Sequence, residues 1–354
     1  MNTQDKVKLF QSHSPEFFKD NKIKNIDSKH KNIVQAAYDI ASPRGQEESF
    51  GKRSWIQQSD IEVPLQFRLK AFHFYSWKSF GKKILKRILL PESNRFLRSA
   101  LLDDLSILEK IGAGNLVFEN PVSETPGVTD AYFINSKSVN MRWMRYLYLC
   151  HRILHANLLK NGEVWLDIGP FYGGLQGLVK KYLPNVRSVL VDFHHQLCRS
   201  YVYLSSLFPE ANHIFPDAIR SIKNLHDLPA GSFVYVPAGD FVKISQMSCE
   251  LSTNFVSFGE MKKATFLEYY NSNIFQNSKK SYLVNRFVSS PFFEKTYDSD
   301  STILDYLKTL KETYYFDIFP MHIYLLTKKK ILNRSEFRPI SSQYFELMLS
   351  SGVS

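Results

Sequence analysis

A glycine-rich turn directly after a short apolar run carries the clearest chemical signal in this sequence. The run Val164–Ile168 contains one acidic residue, and a helical pattern of apolar residues at spacings of three and four begins just beyond Gly174. A strand, tight turn and helix in this order direct backbone N–H groups and a helix N-terminus at one point. We therefore predict a cofactor site formed by Asp167, Gly169, Pro170, Phe171, Gly173 and Gly174.

The composition of the turn argues against two common phosphate-binding motifs. Phe171 stands where a dinucleotide fingerprint needs its second glycine, and Pro170 lacks the N–H that a phosphate would accept. No Gly-Lys-Ser/Thr sequence follows, so the turn is not a P-loop. A cofactor without phosphate, with a cationic centre and an amino acid end, suits Asp167 better. S-adenosylmethionine is a molecule of this kind.

A second apolar run, Ser188–Asp192, also ends in a carboxylate, 25 positions after Asp167. In a parallel sheet of consecutive strand–helix units, the ends of the first two strands lie side by side. Asp192 can accept both ribose hydroxyls of a nucleoside, and Phe193 follows it in the predicted cofactor site. After a third strand at Phe233–Val236, Asp240 is predicted to meet the adenine amino group, with Asp217 as the competing candidate.

Three segments give the chain a family likeness: Leu166–Gly169 with Gly173-Gly174, Leu190–Asp192 running into residues 204–209, and Asn254–Met261 followed by a helix and Tyr282–Arg286. With these the chain resembles class I S-adenosylmethionine-dependent methyltransferases. More narrowly it resembles the sugar O-methyltransferase family of bacterial polysaccharide and glycosylated-metabolite pathways. The likeness covers roughly residues 140–330. Phe171 departs from the family pattern, and so does His194-His195, where a pair of prolines is usual.

The alternation of strands and helices predicts an α/β fold with a doubly wound, Rossmann-like and mainly parallel sheet. The resemblance adds a terminal antiparallel hairpin, for which Tyr314–Ile318 and His322–Thr327 are the candidate strands. Further predicted strands lie at Phe255–Phe258 and Tyr282–Val288. We divide the chain into a mostly helical, basic N-terminal cap region (1–138), a methyltransferase domain (139–330) and a C-terminal tail (331–354).

Methyl transfer to an alcohol needs an aligned donor and acceptor, and a base that takes the hydroxyl proton. Glu260, predicted just after the fourth strand, is the first candidate for this base, although a glutamate there also suits the start of a helix. His195 is the second candidate. Asn285, Arg286 and His194 are predicted to bind the substrate. The reaction is expected to be metal-independent, because the sequence has no dense Asp/Glu/His cluster.

Charge is distributed unevenly along the chain. The formal net charge is +11, and residues 65–100 contain nine Lys/Arg against one Glu. We interpret this segment first as a solvated helix face with an aromatic stripe, and second as a surface for anionic lipid or a diphosphate-linked glycan. Nucleic acid is the least favoured partner, because the segment matches no standard reader motif.

The cysteine content and the N-terminal sequence predict a cytoplasmic protein. Residues 65–100 could bring it into peripheral contact with the inner face of the membrane. There are three cysteines, far apart and without metal-ligand spacing, and the N-terminus has no signal-peptide core. No apolar run reaches the about 20 residues that span a bilayer. The predicted function is S-adenosylmethionine-dependent methylation of a sugar hydroxyl. The alternatives are another small-molecule or lipid-linked acceptor, or a non-catalytic module that binds the cofactor.

Overall fold

The computed structural model describes residues 1, 3–14, 91–126, 132–289, 300–327, 336–340 and 344–351. The chain divides into two compact units. Unit 1 comprises Met1–Ser49, Arg152–Phe319 and Gln343–Ser354, and unit 2 comprises Phe50–His151 and Pro320–Ser342. Most of the basic segment, residues 65–90, lies outside the described residues, so its predicted partners stay predictions.

Nine helices and twelve strands occur in the described part of the chain. The helices are α1 (Thr3–Ser12), α2 (Pro91–Lys110), α3 (Gly114–Glu119), α4 (Met141–His155), α5 (Gly174–Tyr182), α6 (His194–Leu207), α7 (Lys263–Tyr270), α8 (Asn273–Gln276) and α9 (Ile303–Leu307). The strands are β1 (Tyr132–Ile134), β2 (Lys137–Val139), β3 (Val164–Ile168), β4 (Arg187–Asp192), β5 (His213–Ile214), β6 (Phe233–Pro237), β7 (Leu251–Phe255), β8 (Lys280–Arg286), β9 (Glu312–Ile318), β10 (Ile323–Thr327), β11 (Glu336–Ile340) and β12 (Tyr344–Ser350).

Unit 1 is built on an eight-stranded sheet in the order β5-β6-β4-β3-β7-β8-β12-β9. The first six strands in this order run parallel, and β12 is antiparallel to both of its neighbours, β8 and β9. The chain passes from β3 outward through β4 to β6 and then returns to the other side of β3 at β7. The predicted α/β sheet, mainly parallel with a terminal antiparallel pair, is confirmed. The reversal between β3 and β7 is the switch point at which such sheets bind ligands.

The central strands are largely buried because helices cover both faces of a parallel sheet. Every residue of β3 and of β6 is buried. Helix α5 follows β3 directly and buries Leu175, Leu178 and Val179, the apolar positions that its sequence pattern indicates. This packing fixes the turn between β3 and α5 at the carboxyl edge of the sheet.

The strand that pairs with β9 is not the one expected. Strand β10, the candidate partner, pairs with β11 in a two-stranded sheet of unit 2, and β9 pairs with β12. Residues 344–350, which we assigned to the C-terminal tail, are therefore a sheet strand. Glu346 hides this strand in the sequence, because a glutamate is unusual in a core. It is fully buried and accepts hydrogen bonds from Arg152 Nε (2.9 Å) and Tyr282 OH (2.7 Å).

Strand β7 lies earlier in the chain than predicted. The expected strand at Phe255–Phe258 overlaps β7 by one residue only, and Ser257–Glu260 forms a single 3-10 turn. The sequence Ser252-Thr253-Asn254 looks polar for a central strand, yet all three residues are fully buried. Their side chains are hydrogen-bonded inside the protein, which removes the usual cost of burying them.

Helix α1 belongs to unit 1, although its sequence lies in the predicted cap region. It packs on α6 and buries Val7 and Phe10 completely. At its end the His13 ring stacks on Phe215 with ring centroids 4.8 Å apart. The first residues of the chain are thus part of the α/β unit.

Unit 2 contains α2, α3, the β1–β2 hairpin, most of α4 and the β10–β11 pair. Trp143 of α4 is buried and donates from Nε1 to the carbonyl oxygen of Asn120 (2.7 Å). Asp104 of α2 is fully buried and its Oδ1 bonds the ring nitrogen Nδ1 of His322 at 2.9 Å. Among the helices described in either unit, none combines the length and apolar character needed to cross a bilayer.

Candidate cofactor-binding site

The turn after β3 requires glycine at its first position. Gly169 has φ +78°, and a Cβ atom there would lie 2.2 Å from Ser257 Oγ. Its N–H donates to the carbonyl oxygen of Val191 in β4 (2.8 Å), which ties the turn to the neighbouring strand. Gly173 also has a positive φ, +81°, and its missing side chain lets Leu204 of α6 approach. The turn is therefore a close-packed backbone loop at the switch point.

Phe171, at the centre of the turn, joins it to the end of β4. Its backbone also has a positive φ, +59°. Its N–H donates to Asp192 Oδ2 (3.3 Å), and its carbonyl oxygen accepts from Ser200 Oγ (2.8 Å). The turn, the second carboxylate and helix α6 are thus held together through one residue.

Asp167 is almost completely buried, at 3% exposure, beneath this turn. Thr253 Oγ1 donates to its Oδ1 (2.7 Å), and Gln176 Nε2 donates to its Oδ2. Burial raises the pKa of Asp167 to about 7, while the two hydrogen bonds lower it and the nearby charge of Asp192 raises it further. The two predicted carboxylates therefore lie close enough to interact, at the ends of neighbouring strands.

Asp192 is half-buried at the end of β4. Its Oδ1 accepts the N–H of Phe193 (2.8 Å) while its Oδ2 accepts that of Phe171. A carboxylate oxygen has two acceptor sites, so these bonds orient Asp192 without using its full capacity. Arg199 of α6 lies nearby: burial lowers the pKa of its guanidinium, and the charge of Asp192 raises it. The sequence analysis did not identify Arg199 as a site residue.

The two candidates for the adenine contact lie in different surroundings. Asp192 is in register with Pro237 of β6, and Asp240 follows Pro237 by three positions in a 3-10 helix. Asp240 is half-buried and paired with Lys243. Asp217 is exposed and bonds the His13 ring at 2.7 Å. Asp240 follows β6, the strand next to β4, whereas Asp217 follows β5, which is one strand further away.

A second turn, after β7, closes the other side of the switch point. Asn254 Nδ2 donates to the carbonyl oxygen of Ile168 (2.7 Å), and Ser257 Oγ donates to the same oxygen (3.1 Å). Val256 between them has a positive φ, +80°. The sequence analysis missed Asn254 and Ser257 as site residues, because hydroxyl and amide side chains carry no periodic signal.

The predicted catalytic and substrate-binding residues in the turn after β7 and at the end of β8 differ in how deeply they are buried. Glu260 is half-buried at the end of the second turn. Asn285 is fully buried: its Nδ2 donates to Asn254 Oδ1 (3.0 Å) and its Oδ1 accepts the Gly259 N–H (3.1 Å). Asn285 thus supports the second turn. Arg286 is half-buried and donates from Nε to Tyr344 OH (2.8 Å).

The two histidines open helix α6 directly after Phe193. Each is 5% exposed. Ser14, just beyond α1, shares a short hydrogen bond with His194 Nδ1, and the ring of His195 stacks on Phe193 with an interplanar angle of 6°. Their predicted roles in substrate binding and base catalysis stay predictions, as do those of Glu260 and Arg286.

Two further features of the site bear on its chemistry. Within the described residues, no group of three or more His, Cys, Asp or Glu side chains is placed to hold a metal ion. The three cysteines are free and buried. Burial raises the pKa of the Cys249 thiol to about 12, so this thiol is protonated at neutral pH.

Comparison with known proteins adds distant likenesses only. No family model matches the sequence, and no curated protein matches it. A proposed methyltransferase from Bacillus halodurans is 12% identical, with a TM-score of 0.37 over 58% of this chain and 99% of its own. An O-methyltransferase family 2 protein from Planctomyces limnophilus, in complex with apigenin, is 10% identical, with a TM-score of 0.33 over 59% of this chain and 60% of its own.

A precorrin-6y C5,15-methyltransferase from Geobacter metallireducens is also 10% identical, with a TM-score of 0.32 over 58% of this chain and 88% of its own. The fold itself is an α/β fold with a mainly parallel eight-stranded sheet, in which β12 is antiparallel to its neighbours. Activity and substrate are separate questions, because one fold hosts many functions.

Proposed function

We propose that this chain is an S-adenosylmethionine-dependent O-methyltransferase that acts on a sugar hydroxyl in the assembly of a glycan, glycolipid or glycosylated metabolite. The observation that carries the cofactor assignment is the pair of carboxylates, Asp167 and Asp192, at the ends of neighbouring strands around a backbone loop. The loop suits a cofactor because Gly169 and Gly173 let its backbone pack closely against Ser257 and Leu204.

Each residue of this edge has a role that follows from its position. Asp192, held by two backbone N–H groups, would accept the ribose hydroxyls, with Phe193 beside it. Asp240 would accept from the adenine amino group. Asp167 is buried and partly protonated near neutral pH. Its negative charge would attract the cationic end of the cofactor, and its hydrogen bond would orient Gln176. When bound, S-adenosylmethionine supplies an electrophilic methyl group.

The acceptor would lie on the side of the site that the turn after β7 forms. Glu260 would take the proton of the acceptor hydroxyl during attack, because it ends the turn that touches the cofactor loop. His195 is the alternative base, and Arg286 and His194 would hold the acceptor. The sugar itself rests on the family resemblance of the sequence. The same site would also accept another small molecule or a lipid-linked alcohol.

Calorimetric titration with S-adenosylhomocysteine tests the cofactor assignment. We expect wild-type protein to bind it, and Asp192→Ala to lose at least about tenfold in affinity because the ribose loses its acceptor. Asp227→Ala, which removes an exposed carboxylate from the loop before β6, is the matched control and should bind normally. Wild-type protein that does not bind would refute the proposal.

Transfer of labelled methyl groups to nucleotide sugars, glycans and other alcohols tests the acceptor. With an accepted substrate, Glu260→Gln should lower turnover by about 10²-fold, since a positioned base contributes this much. Affinity for S-adenosylhomocysteine should stay unchanged. Glu268→Gln, an exposed glutamate on α7, is the control.

The outcomes of this assay separate the alternatives. Unchanged turnover in Glu260→Gln removes Glu260 as the base and leaves His195. Transfer only to alcohols without a sugar corrects the acceptor. Binding without transfer to any alcohol favours a non-catalytic module.

A further inference from the structure

Two bulky residues hold a left-handed backbone conformation, and both lie at the carboxyl edge of the sheet. Phe171 has φ +59° and Val256 has φ +80°. The other described non-glycine residues with positive φ are Asn135, Ser136 and Asn157, and asparagine tolerates this conformation far better than phenylalanine or valine does. Strained residues of this kind persist where the surrounding structure holds them, and they concentrate at ligand sites.

The surroundings of Phe171 hold it at three points. The Asp192 carboxylate binds its N–H, and Ser200 binds its carbonyl oxygen. Its ring meets the ring of Tyr172 edge-on, with centroids 5.4 Å apart and an interplanar angle of 72°. Tyr172 is in turn fully buried and packs edge-on against Tyr203 of α6 at 5.0 Å. The half-buried phenyl ring therefore rests on a fixed aromatic support.

Glycine would adopt this backbone without strain and would still donate its N–H to Asp192. The ring, not the backbone, is the feature that glycine could not supply. Through its N–H, Phe171 bonds the carboxylate that would receive a ribose. In a dinucleotide-binding turn this position is glycine, so that the backbone can approach the pyrophosphate, whereas here it carries a phenyl ring.

We propose that Phe171 determines which cofactor this site takes: its ring packs against the adenosyl group of an adenosyl amino acid and excludes the diphosphate of a dinucleotide. This inference rests on the proposed cofactor-dependent function. It adds a residue that selects the ligand at the turn, next to the residues that would bind the ribose and the adenine. An aromatic face against a nucleobase or ribose supplies apolar contact without phosphate recognition.

Calorimetry with two probes, S-adenosylhomocysteine and NADH, tests this on wild type, Phe171→Gly and Phe171→Ala. We expect both variants to bind S-adenosylhomocysteine at least about tenfold more weakly, because each lacks the ring. Phe171→Gly should also bind NADH more tightly than wild type does. Its melting temperature without ligand should not fall below that of wild type, since glycine relieves the strain. Phe171→Asn, which also tolerates positive φ, replaces the glycine variant if that variant does not fold.

Asn157→Gly is the matched control. Asn157 has φ +49° in the turn between α4 and β3, away from the carboxyl edge, so its replacement relieves a positive φ without touching the site. Its affinity for both probes should equal that of wild type. If the Phe171 variants bind S-adenosylhomocysteine within twofold of wild type, the ring does not select the cofactor and the inference falls alone. If wild type binds no S-adenosylhomocysteine, the proposed function falls and the inference falls with it.

Discussion

Polar groups are arranged differently at the two ends of the central parallel strands. At the carboxyl end, the polar groups surround strained turns, and Asp192 and Glu260 keep part of their surface exposed. At the amino end, Ser252 Oγ bonds both Ser278 Oγ and Ser281 Oγ at 2.7 Å. Lys311 Nζ completes this serine–lysine cluster by donating to the Phe275 carbonyl oxygen (2.7 Å) and to Ser281 Oγ (2.6 Å).

Each end also buries an ionisable group, and burial favours the uncharged form of both groups. Lys311 is 6% exposed, and burial lowers its pKa to about 7, whereas burial raises the pKa of Asp167 to about 7. The serine–lysine cluster is bonded to itself and to backbone, so it serves the fold. The carboxyl end retains acceptor capacity and half-exposed side chains, which is what the proposed ligand site requires.

The largest effect is expected from a methyl group at the switch point. Gly169→Ala should lower the free energy of unfolding by about 3 kcal/mol, combining a left-handed alanine with an overpacked contact. Its Cβ would lie 2.2 Å from Ser257 Oγ. Urea unfolding measures the loss, and binding of S-adenosylhomocysteine should disappear with it.

Two companion variants separate strain from collision. Gly162→Ala in the turn before β3 has φ +90° but no atom within 4 Å of the new Cβ, so it should cost only about 1–2 kcal/mol. Adding Ser257→Gly to Gly169→Ala removes the colliding atoms and should return about 1–2 kcal/mol in a double-mutant cycle. If Gly162→Ala and Gly169→Ala lower the free energy of unfolding equally, the turn after β3 does not contact Ser257 in the turn after β7.

A smaller effect tests the serine–lysine cluster through pH. Because the pKa of Lys311 is lowered in the folded protein, the unfolded chain binds one more proton above pH 7, and stability should rise with pH. Between pH 7 and 8.5 the gain should be about 1–2 kcal/mol. This range lies mostly above the titration of Asp167, whose raised pKa of about 7 opposes the trend, and below that of Cys249, whose pKa is raised to about 12.

Lys311→Met should lose this rise, and Lys308→Met should keep it, because Lys308 is 77% exposed on the same segment. Denaturant unfolding at several pH values measures the difference between each variant and wild type. A rise that persists in Lys311→Met would show that Lys311 is charged in the folded protein.

The parts of the fold that the sequence predicts are those in which one local pattern decides the structure. Strands β3, β4 and β6 are short apolar runs between turn signals, and their predicted bounds agree with the structure to within a residue or two. The turn at Gly169 follows from the same pattern, as does helix α5. These elements bury apolar side chains, so the spacing of apolar residues in the sequence predicts them.

The parts that the sequence does not predict depend on polar groups that are satisfied over long distances. Strand β7 is displaced from its predicted position because Thr253 and Asn254 bond groups near residue 167, more than eighty positions earlier. Strand β12 escaped notice because Glu346 pairs with Arg152, which is 194 positions away. At the site, the carboxylates were identifiable from strand ends, whereas Arg199, Ser257 and the strain at Phe171 appear only once helix, strand and turn are assembled.

The position of β12 has a consequence for how the protein is made. This strand is inserted between β8 and β9, so neither can complete its hydrogen bonding until residues 344–350 have left the ribosome. Until then β8 keeps an open edge and β9 lacks its partner in this sheet, and such edges invite pairing between chains. We therefore expect a chain truncated after residue 342 to aggregate, because β8 and β9 would lack β12.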